Sequence, residues 1–418
     1  MHDRNALIIA YYFPPMGLSG VQRTLKFVKY LPEYGWKPIV LTSTPASYYA
    51  YDESLLDDID TNITELHRTG AKNPQKKKAK FPSYFTQKIG RAVLQTFYQP
   101  DSKIKWKKSA FELGCRIMEE NDINIIFATA PPFTDFLVAR ELSKKYDKPF
   151  VADYRDTWVD NPFHFYPTPF HKNYSIELEK DILTHASKVF VTTRHAKELI
   201  LQRYRIISHN DIIILPHGYD PEDFHKAPRV ERYNKKLVIT HSGLFQDNRT
   251  PKYFLKALAK FIEENPEAKD KIEARFIGLM RPGHQKLIKK YGLDNNVELM
   301  GYLPHKEAVA GILASDVLWL MLFDTVRSPG KLYEYFGARK PLLVCAPEGI
   351  IRQTAEESGA AFSADPKNTA MIKEKLAEIY SLWKSGALPV PDASFTERYN
   401  RENITSDLAR ELSLAADF

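Results

Sequence analysis

Ser328-Pro329-Gly330-Lys331-Leu332-Tyr333-Glu334-Tyr335 follows the apolar run Val317 to Phe323 and opens a segment with a helical pattern. A buried strand, a glycine-containing turn and a helix start, in that order, form the repeating unit of a parallel α/β sheet. Such a turn brings backbone N–H groups and the positive end of a helix dipole to one point, with Lys331 in the first turn, which makes a cradle for phosphate. Glu334, three residues on, faces the same mouth. A carboxylate there suits vicinal ribose hydroxyls better than a second phosphate, so the pair points to a nucleoside diphosphate. For these residues alone, a capped helix with an exposed Lys and a Glu lying on its dipole is the alternative.

The same unit recurs outward from this stretch. Short aliphatic or β-branched runs at 7–10, 39–42, 125–129, 150–153, 189–192 and 212–215 each precede a helical pattern, and a second set follows at 237–240, 275–277, 297–299, 317–323, 342–344 and 361–362. Several runs are apolar on both faces, as expected of strands covered by helices on both sides. With 418 residues, and single cores that stop growing near roughly 250–300 residues, the chain is expected to form two doubly wound, Rossmann-like domains facing across a cleft. Pro216-His217-Gly218-Tyr219-Asp220-Pro221 and the polar stretch 226–236 mark the boundary. The expected division is residues 1–225, residues 226–390, and a helical segment 391–418 that packs back on the first domain. Ligands of open α/β sheets bind outside the carboxyl ends of the strands, so function is expected there.

The two cysteines, Cys115 and Cys345, form no CxxC pair and read as buried thiols of a reducing compartment. The N-terminus is too short and wrongly flanked for a signal peptide, and no apolar run exceeds eight residues, so a cytoplasmic chain without a membrane span is expected. Formal net charge is +7, but residues 68–108 hold twelve Lys or Arg against one acid, Asp101, and the rest of the chain is net −4. Phe81, Tyr84, Phe85, Phe97, Tyr98 and Trp106 interleave this basic stretch. Cations with amphipathic aromatics suit an anionic bilayer, which makes a peripheral position on the inner face of the membrane the leading expectation for Arg68–Lys108. A solvated basic face and a nucleic-acid contact are the alternatives.

Four further constellations lie at expected strand ends. Gly17, Gly20, Gln22 and Arg23 belong to a Pro- and Gly-containing loop that enters a helix near Val21, where glycine permits close backbone approach to an anion; a tight βα turn is the alternative. Asp153-Tyr154-Arg155-Asp156-Thr157-Trp158 is a dense polar and aromatic cluster, read either as catalytic or as a loop organised by an Arg155–Asp156 pair. Pro132, in the loop 129–134, lines the same place. In the second half, Gly243 leaves a strand and Arg249 stands just before a helix, where with Lys331 it would clamp a pyrophosphate. Asp58-Ile59-Asp60 matches a DxD pattern but sits in an acidic, helix-like stretch, 52–66, and reads as solvated acid. GxGxxG, the phosphate-loop pattern, HExxH and the EF-hand loop are absent from the sequence, so neither a metal nor a bound cofactor is expected.

Taken in order, the loop ending Gly20-Val21-Gln22-Arg23, the Asp153–Trp158 motif, Pro216-His217-Gly218-Tyr219-Asp220 and Lys331-Leu332-Tyr333-Glu334-Tyr335 resemble glycosyltransferase family 4, retaining enzymes of the GT-B fold. The resemblance implies an acceptor-binding first half and a donor-binding second half. It also implies metal-independent, hexosyltransferase-type transfer from a nucleotide-diphosphate sugar such as a UDP-sugar, within cell-surface polysaccharide or glycolipid synthesis. It assigns Gly20, Gly243, Arg249, Ser328, Gly330, Lys331, Leu332 and Glu334 to the donor, and Gly17, Gln22, Arg23, Pro132 and Trp158 to a glycan or lipid-linked acceptor. Lys331, Arg249, Asp153, Arg155 and Asp156 take catalytic roles. Glu334 matches the second glutamate of the family's E-x7-E motif, but the first falls at Val326, with Asp324 two residues away. A nucleotide-sugar epimerase or hydrolase of the same fold, or a non-catalytic nucleotide-sugar-binding scaffold, are the competing functions. No nucleic-acid partner is expected, and the sequence leaves the oligomeric state open.

Overall fold

The computed structural model describes residues 4–17, 19–44, 50–70, 90, 93–230, 235–245 and 249–417. The chain divides into two compact units. One comprises Met1–His217 with Val326–Ser328 and Arg401–Phe418, the other Gly218–Thr325 with Pro329–Asn400. The division therefore falls at Gly218 rather than after residue 225, and the terminal segment returns to the first unit at Arg401 rather than at 391.

The first unit is built on a seven-stranded sheet of β1 (Arg4–Ile9), β2 (Trp36–Ser43), β3 (Glu65–Thr69), β4 (Ile125–Ala130), β5 (Phe150–Tyr154), β6 (Lys188–Val191) and β7 (Ile212–Ile214). Their spatial order is β3-β2-β1-β4-β5-β6-β7, and every pairing is parallel. Alternate residues of β1 enter different cores. Leu7 and Ile9 join Ile39, Ile126 and Phe150 on one face, while Ala6 and Ile8 join Val40, Phe127 and Val151 on the other. Two buried faces explain why these strands read as continuous apolar runs. Helix Arg401–Ala416 places Ile404, Leu408, Leu412 and Ala415 at helical spacing into the second of these cores, beside Val21, Leu25 and Val28 of helix Ser19–Tyr30. Arg4 reaches Asp417 at 2.8 Å.

The second unit repeats the plan with six strands, β8 (Leu237–Ser242), β9 (Ile272–Ile277), β10 (Val297–Gly301), β11 (Val317–Met321), β12 (Leu342–Cys345) and β13 (Ala361–Ala364), ordered β10-β9-β8-β11-β12-β13. Val317, Trp319 and Met321 enter one core; Leu318 and Leu320 enter the other.

Strand β3 departs from the sequence expectation. Residues 52–66 are not helical throughout: a 3-10 turn, Glu53–Asp58, is followed by an edge strand that pairs with β2 from Ile39↔Glu65 to Ser43↔Thr69. Glu65-Leu66-His67-Arg68-Thr69 is too polar to announce a strand, and the neighbouring strand's open edge overrides local propensity. Asp58 is also not simply solvated, because it pairs with the buried Lys26 at 2.7 Å. Of the basic stretch, residues 71–89 and 91–92 lie outside the described residues. Cys345 is buried and Cys115 half-buried.

One buried carboxyl gives the first unit a pH dependence. Glu179, in helix Pro169–His185, accepts the Tyr204 hydroxyl at 2.8 Å, and burial pushes its pKa up to about 8. The folded state keeps this proton while the unfolded chain, near 4.5, releases it. Between those values the native state binds more protons, so this group's contribution to stability falls as pH rises, by up to about 1.4 kcal/mol per pH unit. Glu179→Gln is expected to flatten the decline in melting temperature from pH 5 to pH 8, measured in parallel with the unaltered protein.

Candidate functional site

In the second unit, β8 is flanked by β9 on one side and β11 on the other, and the chain leaves it in opposite directions. Loops diverge at such a switch point and leave a crevice beyond the strand ends. Here the loops approach to backbone contact. The Gly243 N–H donates to Ile277 O at 2.8 Å. Gly278, at φ +130°, would place a Cβ 2.3 Å from Gly243 O, so a side chain at Gly278 would force the two loops apart.

Helix Gly330–Ala338 follows β11, and Tyr335 in its second turn ties it to the end of β8. The fully buried Tyr335 hydroxyl accepts the Ser242 N–H at 2.8 Å and faces Trp319 O. Burial pushes the Tyr335 pKa up, which keeps the donating proton on the ring oxygen. Tyr335 therefore joins the ends of β8 and β11 to the helix that carries Lys331, a positioning role missed from sequence because it reads there as one more aromatic of the helix.

On that helix Lys331 Nζ pairs with Glu334 Oε2 at 2.6 Å. The other carboxylate oxygen, Glu334 Oε1, is buried and has no hydrogen-bond partner. His241, the residue before Ser242, donates Nδ1–H to Trp319 O at 3.0 Å and stacks on Phe245 at 4.6 Å. Its Nε2 is buried and likewise unpartnered. Burial lowers the His241 pKa to about 4, reinforced by the positive fields of Arg249 and Lys331 and opposed by the bond to Trp319. The ring is neutral at physiological pH, with its lone pair on Nε2. Arg249 and Gly330 are half-buried and Ser328 is buried. Leu332 is fully enclosed in the core, so its side chain anchors the helix and cannot meet a ligand. The ensemble offers cations, a helix N-terminus and two acceptor lone pairs, a set that can take phosphate on one side and hydroxyl groups on the other.

The first unit gathers its candidates differently. Arg23 is fully buried and bidentate to Asp153, with Nη2 to Oδ1 at 2.8 Å, while Nη1 donates to Pro216 O at 2.7 Å and Nη2 to Leu215 O at 2.9 Å. Asp153 also accepts Thr129 Oγ1 at 2.7 Å. Arg155 is buried and donates to Gly20 O and Pro131 O, bracing the start of helix Ser19–Tyr30 against the loop after β4. Trp158 is fully buried against Phe133, centroids 4.6 Å apart, and Pro132 and Gly17 are buried too. The expected acceptor contacts of Arg23 and Trp158, and direct chemistry by Asp153 and Arg155, thus meet side chains already enclosed by protein. What these groups do is fix the strand ends. Gly20 is exposed, and Gln22 and Asp156 are half-buried, so those three present atoms to solvent.

Two buried groups here were not singled out from sequence as site residues. Asp135 Oδ2 accepts the Tyr11 N–H at 2.9 Å while Oδ1 has no hydrogen-bond partner. Burial drives its pKa well above the usual carboxylate range, and Asp101 adds to this against Arg155. An acid in the first turn of helix Thr134–Tyr146 was the available signal. His217 is buried, and its pKa is depressed first by burial and then by Arg23, Arg401 and Arg155.

Removing one partner of a buried ion pair strands the other charge. Asp153→Ala is therefore expected to cost about 3–5 kcal/mol of stability, read by chemical denaturation; a loss below about 1 kcal/mol would show that the pair does not brace this unit.

Comparison with known proteins agrees with this architecture. Residues 19–223 match the family described as Glycosyltransferase Family 4, and residues 223–387 match Glycosyl transferases group 1. No curated protein sequence matches the chain. Among solved structures, HepE of Anabaena in complex with UDP shares 14% identity at a TM-score of 0.65, covering 98% of this chain and 99% of that one. Sucrose-phosphate synthase of Thermosynechococcus elongatus shares 14% at 0.69, covering 99% and 100%. A glycosyltransferase of Rickettsia africae shares 13% at 0.66, covering 99% of each. With both halves of the family matched in order and two parallel Rossmann-like sheets beneath them, the chain belongs to glycosyltransferase family 4 and has the GT-B fold.

Proposed function

We propose that the chain is a retaining, metal-independent hexosyltransferase that uses a nucleoside-diphosphate sugar, with UDP as the first nucleotide to test. The observation that carries this reading is the Lys331–Glu334 pair at a helix N-terminus, with the buried Glu334 Oε1 left open beside it. Lys331, Arg249 and the helix dipole receive the diphosphate, and Glu334 Oε1 accepts a ribose hydroxyl. UDP is favoured because HepE, of the same fold, binds it.

In the reaction the bond between the anomeric carbon and the β-phosphate oxygen breaks, and the acceptor hydroxyl oxygen bonds to that carbon on the same face. The leaving phosphate takes the hydroxyl proton, so no side-chain base is required. Negative charge builds on the β-phosphate, where Lys331 and Arg249 stabilise it without reorganising. Gln22 and Asp156 are the first-unit groups proposed to meet the acceptor, with Arg23, Asp153 and Arg155 holding them in place. That acceptor is proposed to be a glycan or lipid-linked saccharide of surface polysaccharide or glycolipid synthesis, met in the cytoplasm at an anionic membrane face. The charge excess of Arg68–Lys108 supports the membrane contact. Among the described residues no helix is long and apolar enough to cross a membrane.

Val326 at the position of the family's first glutamate favours one second reading, a nucleotide-sugar-binding scaffold that does not turn over. Thermal shifts with UDP, GDP and ADP, alone and as sugars, separate the two when combined with product analysis. Stabilisation by one nucleotide that Lys331→Ala abolishes is expected, together with a fall in turnover on the order of 10²–10³-fold. The same substitution is expected to leave folding stability within about 1 kcal/mol, since the pair is partly exposed. Tight nucleotide binding without product would select the scaffold, and turnover unchanged in Lys331→Ala would end the donor-site assignment.

A further inference from the structure

Exposed large apolar side chains are concentrated on the first unit. Of the twelve among the described residues, six are Val93, Leu94, Phe97, Phe165, Phe170 and Tyr174, with Phe170 83% and Phe97 76% exposed. They come from two distant segments that hydrogen bonds hold side by side. Phe165 N donates to Gln95 Oε1 at 2.9 Å, His171 Nε2 lies 3.2 Å from Thr96 O, and Ser175 Oγ donates to Gln99 Oε1 at 3.2 Å. Residues 93–97 are helical, and Phe170 and Tyr174 stand four apart on one face of helix Pro169–His185. A contiguous aromatic and aliphatic surface of this kind marks a contact with something apolar.

The charge around it identifies the partner. The sequence running into Val93, residues 71–92, carries seven Lys or Arg and no acid. Lys172 is exposed within the patch, and Lys105, also exposed, lies over the Tyr98 ring at 5.0 Å. Apolar side chains rimmed by cations match an anionic lipid surface, where rings enter the headgroup–acyl boundary while ammonium groups stay among phosphates. A soluble acidic protein would meet the cations but leave the rings without a hydrocarbon phase.

We propose that this patch is a membrane-insertion surface, on which the aromatic rings of Phe97, Phe165, Phe170 and Tyr174 enter an anionic bilayer. The inference rests on the membrane-facing acceptor reading above and deepens it by assigning salt-resistant binding to these rings rather than to the basic segment alone. Electrostatic attraction is screened by salt, whereas hydrophobic insertion is not.

The test is vesicle flotation of the full chain with phosphatidylcholine alone and with added phosphatidylglycerol, each at low and high salt. The comparison variant is Phe97→Ser, Phe170→Ser and Tyr174→Ser together, with the nucleotide thermal shift as a check on the second unit. The unaltered protein is expected to bind the anionic vesicles and to retain part of that binding at high salt. The triple variant is expected to partition at least about tenfold more weakly at high salt, with the nucleotide shift unchanged. Equal binding by the variant would overturn the insertion surface and leave the basic segment as the membrane contact. No binding by the unaltered protein to either vesicle would overturn the membrane reading as well, without touching the transferase assignment. A vesicle-free dimer that the triple variant converts to monomer, by light scattering, would assign the patch to self-association instead.

Discussion

Each sheet is parallel and buried on both faces, and that constraint decides where chemistry can occur. Helices cover both surfaces of the central strands, so those strands are filled largely by apolar side chains, as β1 and β11 show by sending alternate residues into separate cores. Polar groups that must meet a ligand are left to the strand ends and the loops that follow. His241, Gly243 and Lys331 in one unit, and Gly20, Asp153 and Arg155 in the other, stand at or just beyond such ends. The positions follow from topology before any side chain is considered.

The principal ion pairs of the two units differ in how they are enclosed. In the first, Arg23 and Asp153 bond to one another and to Thr129, Leu215 and Pro216, and both side chains are fully buried, so neither faces a substrate. Such a network is costly to desolvate and is retained where its geometry is needed; here it fixes the backbone at Gly20 through its neighbour Arg155. In the second unit the polar groups are left incomplete. Glu334 Oε1 and His241 Nε2 are buried acceptors without partners, an arrangement that ordinary folding stability disfavours and a hydroxyl-bearing ligand would satisfy.

Much of this was legible in the sequence because it rested on period and turn chemistry. All six strands of the second sheet, and the helix that begins at Gly330, coincide with short aliphatic runs and a Pro-Gly start. What escaped was set by tertiary contact. Strand β3 exists because β2 offers an open edge, and Glu65-Leu66-His67-Arg68-Thr69 carries no strand signal of its own. The enclosure of Arg23, Asp153 and Trp158 escaped for the same reason: a polar cluster at a strand end looks alike whether its charges face a ligand or one another. Tyr335 was invisible as a positioning residue, since nothing local shows that its hydroxyl meets Ser242, 93 positions earlier in the chain.

In the donor site proposed above, the Lys331–Glu334 pair would set how selective the second unit can be. A phosphate that approaches Lys331 competes with a carboxylate 2.6 Å away, so a lone phosphate gains little beyond what the lysine already has. A ligand that brings hydroxyls together with a diphosphate gains twice, because Glu334 then exchanges part of its bond to Lys331 for hydroxyl donors while Lys331 turns to the phosphate. The neutral His241 belongs to the same balance. A third positive charge beside Arg249 and Lys331 would be repelled, and burial together with those two cations keeps the ring uncharged. In the proposed donor site the arrangement would discriminate by coupling: anion and hydroxyls would have to arrive on one molecule, as in a nucleoside diphosphate but not in inorganic phosphate.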